Sequence, residues 1–369
     1  MDQKLPKSAS DFSSGGSRQA RPKRANTYSY QDLLVPVAVA AAVLAGVLFS
    51  QIFTQESTSK STVKAPPIKL GKDALKIAFC VTGQLSRLEL LSKIANLFIP
   101  NALHGHLVHV FIQLDDSQDV KQTFWRYDYS DTPYADYTAE KIEILLARKT
   151  YPYKLGARFK AWARVGPPSQ DLFEVVDGFV PVVQKVINTD AQKFSTKDGK
   201  GVNEQMVESA EERFKNNLAW MAGLRDCVKW TQEQEQEQGY FYDVVVRLRE
   251  DSLVFDTWNI VKSLVKGTLT SGYIGANRGV NDHNIVLDRK WTDVLFRGII
   301  EDYYFKGSNR HQMWNNSESR IAQVAEENNV PVRATSFCEM PIIPLRNTYN
   351  KTHWLVHPQY ARLFATTCR

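Results

Sequence analysis

The feature that most constrains this chain is an uninterrupted apolar segment in its N-terminal part. No charged residue occurs between Asp32 and Glu56, and residues 33–53 are mostly Leu, Val, Ala, Ile and Phe. At ~1.5 Å of rise per residue, a helix of this length crosses the ~30 Å hydrocarbon layer of a bilayer. The sequence therefore predicts a transmembrane helix over residues 33–53, with burial in a soluble core as the alternative.

The position and flanks of this segment favour a signal anchor over a cleaved signal peptide. The apolar part of a signal peptide is ~7–15 residues long, lies close to the chain start and precedes a small-x-small cleavage site. Here the apolar run begins after 32 residues, and residues 50–53 read Ser-Gln-Ile-Phe. A cytosolic N-terminus is favoured by the basic residues that precede the segment, which are Arg18, Arg21, Lys23 and Arg24.

These features predict a single-pass type II membrane protein with four regions. Residues 1–32 form a basic cytoplasmic tail without apolar periodicity, which we expect to be disordered. Residues 33–53 are the anchor. Residues 54–75 are polar, contain Pro66-Pro67 and suit an extended stem. Residues 76–369 form a lumenal globular domain.

The charge of the globular region argues against a nucleic-acid partner. The whole chain carries a net charge of +6, with 46 basic and 40 acidic residues. Ten of those basic residues and five of the acidic ones lie in the tail and the stem, which leaves 36 basic and 35 acidic residues in 76–369. A nearly neutral domain lacks the electrostatic footprint of a nucleic-acid-binding protein.

Four cysteines follow the predicted anchor, and they are Cys80, Cys227, Cys338 and Cys368. An even number of cysteines in an oxidising lumen favours disulfide bonds. The sequence does not distinguish the three possible pairings, and free buried thiols are the alternative. Sequons at Asn315 and Asn350 agree with a glycoprotein, although such tripeptides often arise by chance.

The periodicity of the globular region predicts an α/β fold with a mainly parallel central sheet flanked by helices. A strand at 76–81, a helix at 87–98 and a strand at 107–114 form a βαβ unit, which implies parallel pairing. The remaining predicted elements are helices at 139–148, 207–228, 291–303 and 321–325, and strands at 171–176, 240–246 and 330–335. The Gln-Glu repeat at 232–238 suggests a solvated helix end.

Charged residues follow the predicted strands at the edge where open α/β sheets bind ligands. They form three groups, which are Thr82-Gly83 with Arg87, Asp115-Asp116, and residues 247–251. If the strand continues past residue 246, alternation places Arg247, Arg249 and Asp251 on one face. Such arginines suit a diphosphate and such carboxylates suit a divalent cation. An internal ion pair that closes the strand end is the alternative.

Residues 242–251 read Tyr-Asp-Val-Val-Val-Arg-Leu-Arg-Glu-Asp and resemble the Y-D-x-V-V-R-x-R-x-D strand of glycosyltransferase-like families with a GT-A type, Rossmann-like nucleotide-sugar fold. Further segments resemble these families in the same order, with one extra residue before Arg87, and they are 79–87, 217–227, 281–284 and 316–320. Tail, anchor, stem and catalytic domain is the organisation of Golgi glycosyltransferases. The resemblance therefore implies a Golgi location, with the endoplasmic reticulum as the alternative.

The resemblance implies transfer of a sugar from a nucleotide-sugar donor to a glycan or glycoprotein acceptor. The residues implied to bind the donor are Gly83, Arg87, Asp115, Arg247 and Arg249. Asp251 is implied to hold a divalent cation, Mn or Mg. However, Arg249-Glu-Asp251 supplies one carboxylate where the metal motif Asp-x-Asp has two, so metal dependence stays open.

Asp282 and Glu318 are the candidates for the base that deprotonates the acceptor hydroxyl, because each lies in a polar stretch beside a predicted helix start. Helix capping or ordinary solvation is the alternative for both. His283, next to Asp282, is interpreted as a surface or loop residue. Two other functions stay open, which are glycan binding without turnover on a degenerate transferase fold and lumenal transfer of sulfate or phosphate. The chain lacks the phosphate loop Gly-x-x-x-x-Gly-Lys-Ser/Thr, which weakens the latter.

Overall fold

The computed structural model describes residues 70–116, 134, 136–167, 204–272, 280–299, 317–344, 346–347 and 354–355. The chain divides into two units, Met1–Pro67 and Ile68–Arg369, and the first lies outside the described residues. Within the described part, no helix combines the length and apolar character needed to span a bilayer. The predicted anchor, the predicted strand at 171–176 and the asparagines of both sequons lie outside the described residues.

The domain is built on a seven-stranded sheet with the order β3-β2-β1-β4-β7-β6-β8. Its strands are β1 Lys76–Gln84, β2 Leu107–Asp115, β3 Phe159–Val165, β4 Val244–Arg249, β6 Leu269–Gly272, β7 Asn284–Asp288 and β8 Val332–Thr335. Only β7 runs antiparallel to its neighbours within this sheet. The predicted mainly parallel α/β sheet is thus confirmed.

Helices and short strand pairs complete the described part. The helices are α1 at 91–103, α2 Ala139–Thr150, α3 Glu204–Gln238, α4 Ile260–Ser263, α5 at 289–299 and α6 Ser317–Glu327. Two antiparallel pairs lie outside the main sheet, which are β5 Ser252–Val254 with β9 Ile342–Pro344, and β10 Arg346–Asn347 with β11 Trp354–Leu355.

Alternation along the central strands divides the core between the two faces of the sheet. Ala78, Cys80 and Val245 belong to the core cluster that includes the buried residues of α3. Ile77 and Val244 belong to the cluster that includes α1 and α2. All five side chains are fully buried, so the sheet is covered on both faces. This is the arrangement that near-continuous apolar strands require.

The first predicted helix is displaced toward the C-terminus. A 3-10 turn occupies Leu85–Arg87, and the helix spans 91–103 with a π-helical segment at Ile94–Phe98. Pro100 has no N–H to donate to the carbonyl of Asn96, and that carbonyl accepts from the backbone N–H of Trp258 at 2.8 Å. The proline therefore explains why the regular helical ladder is interrupted here.

The strand predicted at 240–246 begins later, at Val244. This strand is β4, and it lies centrally in the sheet, between β1 and β7. The Gln-Glu repeat before it ends the helix at Gln238, and its last three residues are exposed as predicted. Glu235, by contrast, is buried, and its carboxylate accepts two hydrogen bonds from Arg289, each 2.7 Å long. Glu235 also accepts from the backbone N–H of Tyr242 at 3.0 Å. This last contact uses the N–H of Tyr242, which a longer strand would offer to its neighbour in the sheet.

A disulfide between Cys80 and Cys227 joins β1 to α3. Its Cα atoms are 6.0 Å apart, which is an ordinary separation. Cys338 is also disulfide-bonded, and its partner lies outside the described residues. The prediction of disulfide bonds is confirmed, and no described cysteine is a free thiol.

Candidate functional site

Charged side chains from four parts of the fold meet at the carboxyl ends of β1 and β4. The antiparallel strand β7 begins at this edge, so the turn before it, residues 281–283, lies beside the end of β4, and the backbone N–H of Arg249 donates to the carbonyl of His283 at 2.8 Å. We call this set the charged cluster, and its members are Arg87, Arg247, Arg249, Glu250, Asp251, Asp282, His283 and Glu318.

Arg87 and Arg249 are ion-paired inside the cluster. Arg87 contacts Glu250 closely, and its Nη1 lies 3.7 Å from Oδ2 of Asp251. Arg249 is 2.9 Å from the same Asp251 oxygen and 3.7 Å from Asp282. Burial acts to raise the pKa of Asp251, but Arg249 and Arg87 more than offset it and lower this pKa to about 2. Asp251 is therefore a carboxylate at any physiological pH.

β4 ends at Arg249, and Glu250 and Asp251 form a turn before β5. The condition that the strand continues through Asp251 is thus not met. Beneath the turn lies Lys93, whose side chain is fully buried and donates to the backbone carbonyls of Glu250, at 3.0 Å, and of Ser252. This buried ammonium fixes the turn that carries both acids. Glu250 belongs to the predicted group 247–251, although no role was predicted for it. Lys93 was not predicted, because a lysine in an apolar helix gives no sign of its partners.

Gly83 makes room for the carboxylate of Glu250. Its φ of 146° is one that residues with a side chain rarely adopt, and an added Cβ would lie 1.7 Å from Oε2 of Glu250. The space over this glycine is thus occupied by a protein side chain. We infer that Gly83 keeps Glu250 within reach of Arg87.

Gly83→Ala is expected to lower the free energy of unfolding by ~2–3 kcal/mol, through backbone strain and displacement of Glu250. Gly105→Ala is the matched control, because Gly105 also has a positive φ, 93°, but no heavy atom lies within 4 Å of its added Cβ. The control should lose ~1 kcal/mol from strain alone. Urea denaturation measures both values, and equal losses would contradict the role given to Glu250.

Arg247 differs from the other arginines of the cluster. Its side chain is completely buried, its guanidinium lies 5.2 Å from the ring centroid of Trp220, and none of its three guanidinium nitrogens has a hydrogen-bond partner among the described residues. Burial lowers its pKa to about 10, against the opposing effect of Asp282. The buried hydroxyl of Thr82 is likewise without a partner in the described part of the chain. Arg247 therefore keeps a full set of donors for an anion.

Asp282 and Glu318 come together, although 36 residues separate them in the chain. The two carboxyl groups are hydrogen-bonded, and burial together with the charge of Asp282 raises the pKa of Glu318 to about 7. Helix capping alone does not account for this, because a helix N-terminus lowers the pKa of an acid. The pair can therefore exchange a proton near neutral pH.

Glu318→Gln is expected to change the pH dependence of stability. The folded chain holds the Glu318 proton more tightly than the unfolded chain does. The stabilisation of the folded state by this proton is therefore complete below pH 4.5 and is lost as the pH rises through about 7. The variant should exceed the wild type in free energy of unfolding by up to ~3 kcal/mol at about pH 8, and the gain should vanish near pH 5. Urea denaturation at both pH values measures this, and a pH-independent difference would contradict the raised pKa.

His283 is not the surface residue that the sequence suggests. Its side chain is mostly buried, and its Nε2 lies 3.1 Å from Nη1 of Arg249, which donates to it. Burial and Arg249 lower its pKa to about 4. The imidazole is therefore neutral at physiological pH and orients Arg249. The only sequence signal for this role is its position beside Asp282 in a polar turn between strands.

Asp115 lies farther from the arginines than the other candidates. It ends β2 in register with Gln84, so β1 lies between it and Arg249. Its place at the carboxyl edge agrees with the strand-end rule. The geometry assigns it to the flank of the charged cluster rather than to its centre.

The described residues do not fit a divalent cation at Asp251. The carboxylate of Asp251 already faces two guanidinium groups, and a metal ion there would be repelled by both. Among the residues that the structure describes, no group of three or more His, Cys, Asp or Glu has an arrangement suited to a metal ion. The positive charge of this site comes from arginine.

The chain has little sequence similarity to known proteins. No protein-family model matches the chain, and no curated protein matches it. Among solved structures, the apo crystal structure of mouse xyloside xylosyltransferase 1 aligns over 80% of this chain and 94% of that chain, at 10% sequence identity and a TM-score of 0.33.

Proposed function

We propose that this chain is a membrane-anchored lumenal glycosyltransferase, which moves a sugar from a nucleotide-sugar donor to a glycan or glycoprotein acceptor. The observation that carries the proposal is the buried guanidinium of Arg247, which has no hydrogen-bond partner within the described part of the chain and lies near the pair of Asp282 and Glu318. The resemblance of residues 242–251 to GT-A type families supports it. The anchor at 33–53, the type II orientation and the Golgi location, with the endoplasmic reticulum as the alternative, rest on the sequence.

In the proposed complex, the donor diphosphate lies at the carboxyl ends of β1 and β4. Arg247 and Arg249 each offer a planar fork of N–H donors that matches phosphate oxygens. Arg87 contacts a phosphate, and Asp115 accepts from the ribose or the base. Approach of the nucleotide to Gly83 requires the Glu250 carboxylate to turn away, since it fills that space in the free protein.

The proposed reaction is a substitution at the anomeric carbon of the donor sugar. The acceptor hydroxyl oxygen forms a bond to this carbon as the bond from the carbon to the diphosphate oxygen breaks. The hydroxyl proton goes to the Asp282–Glu318 pair, for which a pKa of about 7 is well suited. The nucleoside diphosphate leaves with the bonding electrons, and Arg247 and Arg249 stabilise its charge.

A non-catalytic glycan-binding module is the second candidate. It is favoured by the ion pairs of Arg87 with Glu250 and of Arg249 with Asp251, which neutralise two arginines within the protein. In such a module these pairs stay closed and the edge of the sheet is structural. The guanidinium of Arg247, which lacks a hydrogen-bond partner among the described residues, is then unexplained.

Thermal unfolding of the full-length protein with UDP-, GDP- and CMP-sugars, each with EDTA or with manganese, separates the two candidates. At a donor concentration of ~100 times Kd, the transferase should gain about 2.7 kcal/mol of stability. We expect one donor class to produce this shift and EDTA to leave it in place. No shift with any donor would reject the transferase. Arg333→Met is the control, because Arg333 lies on β8 and, among the described residues, its substitution removes only an ion pair with Glu339. This variant should show the same donor-induced shift as the wild type.

A further inference from the structure

A second concave surface lies away from the charged cluster, between the end of α2 and the beginning of β3. It is an open groove of about 590 Å³. Its walls include Thr150, Tyr151, Pro152, Lys154, Phe159 and Lys160. Because β3 runs parallel to β2 and β1, its first residue lies at the amino edge of the sheet, whereas the charged cluster lies at the carboxyl edge. We call this surface the basic groove.

The charge of this surface departs from that of the domain around it. Residues 144–170 contain six basic residues and no acid, although the globular region as a whole is nearly neutral. Arg164 pairs with Glu233 at 3.7 Å, while Lys154 and Lys160 make no ion pair with any described residue. The acid in the groove wall, Glu143, accepts a 2.8 Å hydrogen bond from the backbone N–H of Ala163. Among the charged residues of the groove wall, the two lysines thus outnumber the one acid.

Aromatic rings are exposed beside these cations. Tyr151 is 83% exposed and Tyr153 is 48% exposed. They belong to a 3-10 turn that ends at Lys154, whose φ is 50°, in the left-handed region that a lysine rarely adopts. The turn therefore holds the ring of Tyr151 and the side chain of Lys154 together at the groove, in a conformation that most residues avoid.

We propose that the basic groove binds an acidic oligosaccharide, with its sulfate or carboxylate groups on Lys154 and Lys160 and the C–H face of a sugar ring on Tyr151. A concave surface with aromatic rims suits a chain of sugar rings better than it suits a flat bilayer. The proposal rests on the proposed function in one respect, since the oligosaccharide is taken to be part of the acceptor. The groove then selects acceptors that carry acidic sugars and holds them to the domain during transfer.

The test measures binding of a fluorescent, heparin-derived hexasaccharide to the full-length protein in detergent. Lys154→Glu/Lys160→Glu should weaken binding by about tenfold or more, and added salt should weaken binding to the wild type. The matched control is Lys262→Glu/Lys266→Glu, an equal charge reversal at exposed residues of α4 and the segment after it, which should bind as the wild type does. Tyr151→Ala should also weaken binding, and the size of this loss should not depend on the salt concentration.

Several outcomes would overturn the proposal. The first is that both charge-reversal variants lose the same amount of hexasaccharide affinity. The second is that the wild type binds neutral dextran as tightly as the hexasaccharide. The third is that it binds phosphatidylserine vesicles or a polyglutamate peptide more tightly than the hexasaccharide. Donor binding is measured in parallel with the same variants, and Lys154→Glu/Lys160→Glu should leave it unchanged. Failure of donor binding in the wild type would reject the proposed transferase and leave the hexasaccharide result standing.

Discussion

Arg247→Met is expected to lower kcat/KM for sugar transfer by about 10²–10³-fold while making the protein more stable. The loss of activity follows because the substitution removes a preorganised cation that faces the leaving diphosphate in the proposed complex. The gain in stability, ~1–4 kcal/mol, follows because methionine replaces a buried charge that has no hydrogen-bond partner among the described residues. Steady-state kinetics with the donor found in the ligand panel and urea denaturation measure the two effects.

A loss of activity together with a gain in stability distinguishes a functional role of Arg247 from a structural one. If Arg247 closed the strand end through an internal ion pair, its removal would leave an uncompensated carboxylate, and stability would fall by ~3–5 kcal/mol. Arg247→Lys keeps a cation without the planar fork and should recover only part of the activity. Arg333→Met should keep wild-type activity. Loss of both stability and activity in Arg247→Met would contradict the role given to this residue.

Cys80→Ser/Cys227→Ser is expected to lower the free energy of unfolding by ~4–5 kcal/mol. The disulfide closes a loop with a sequence separation of 147 residues, and the entropy that a cross-link removes from the unfolded chain grows with the length of the loop. The double variant leaves no unpaired thiol at this site and leaves the disulfide of Cys338 intact. Urea denaturation of the double variant and the wild type gives the difference.

The same variant also affects the charged cluster, because Cys80 lies opposite Arg247 in the register of β1 and β4. We therefore expect donor affinity to fall more than acidic-oligosaccharide affinity, since the basic groove lies at the other edge of the sheet. The account of the disulfide would be contradicted by a loss of stability below ~1 kcal/mol, which would show that packing of α3 on the sheet needs no cross-link.

Local sequence patterns predicted the central strands of the sheet and its longest helix, but they did not predict β3, β6 and β7. The runs at 76–81 and 107–114 are continuous apolar strands, and the period of residues 207–228 identifies α3. β3 was not predicted, because an edge strand with one buried residue of seven lacks an apolar pattern. β6 and β7 are short strands of four and five residues that include buried polar side chains, so their pairing, and the antiparallel direction of β7, depend on tertiary contacts.

The site was predictable where it depends on strand ends. The rule that strand ends carry ligand sites identified Arg87 and Arg249 at one edge. The resemblance and the polar stretches beside predicted helix starts added Asp282 and Glu318. The rule gave no sign that Glu250 turns toward Arg87 or that Lys93 supports the turn from below. Lys93 and Glu250 are 157 residues apart in the chain, and the position of the Glu250 carboxylate depends on the space above Gly83. No local sequence pattern indicates contacts of this kind.

A crystal structure of the protein with a bound nucleoside diphosphate tests the central claim most directly. The account predicts phosphate oxygens about 3 Å from the guanidinium nitrogens of Arg247, at the carboxyl ends of β1 and β4, with Glu250 turned away from Gly83. A saturated complex with the diphosphate bound elsewhere, and with the ion pairs of Arg87 and Arg249 still closed, would contradict it.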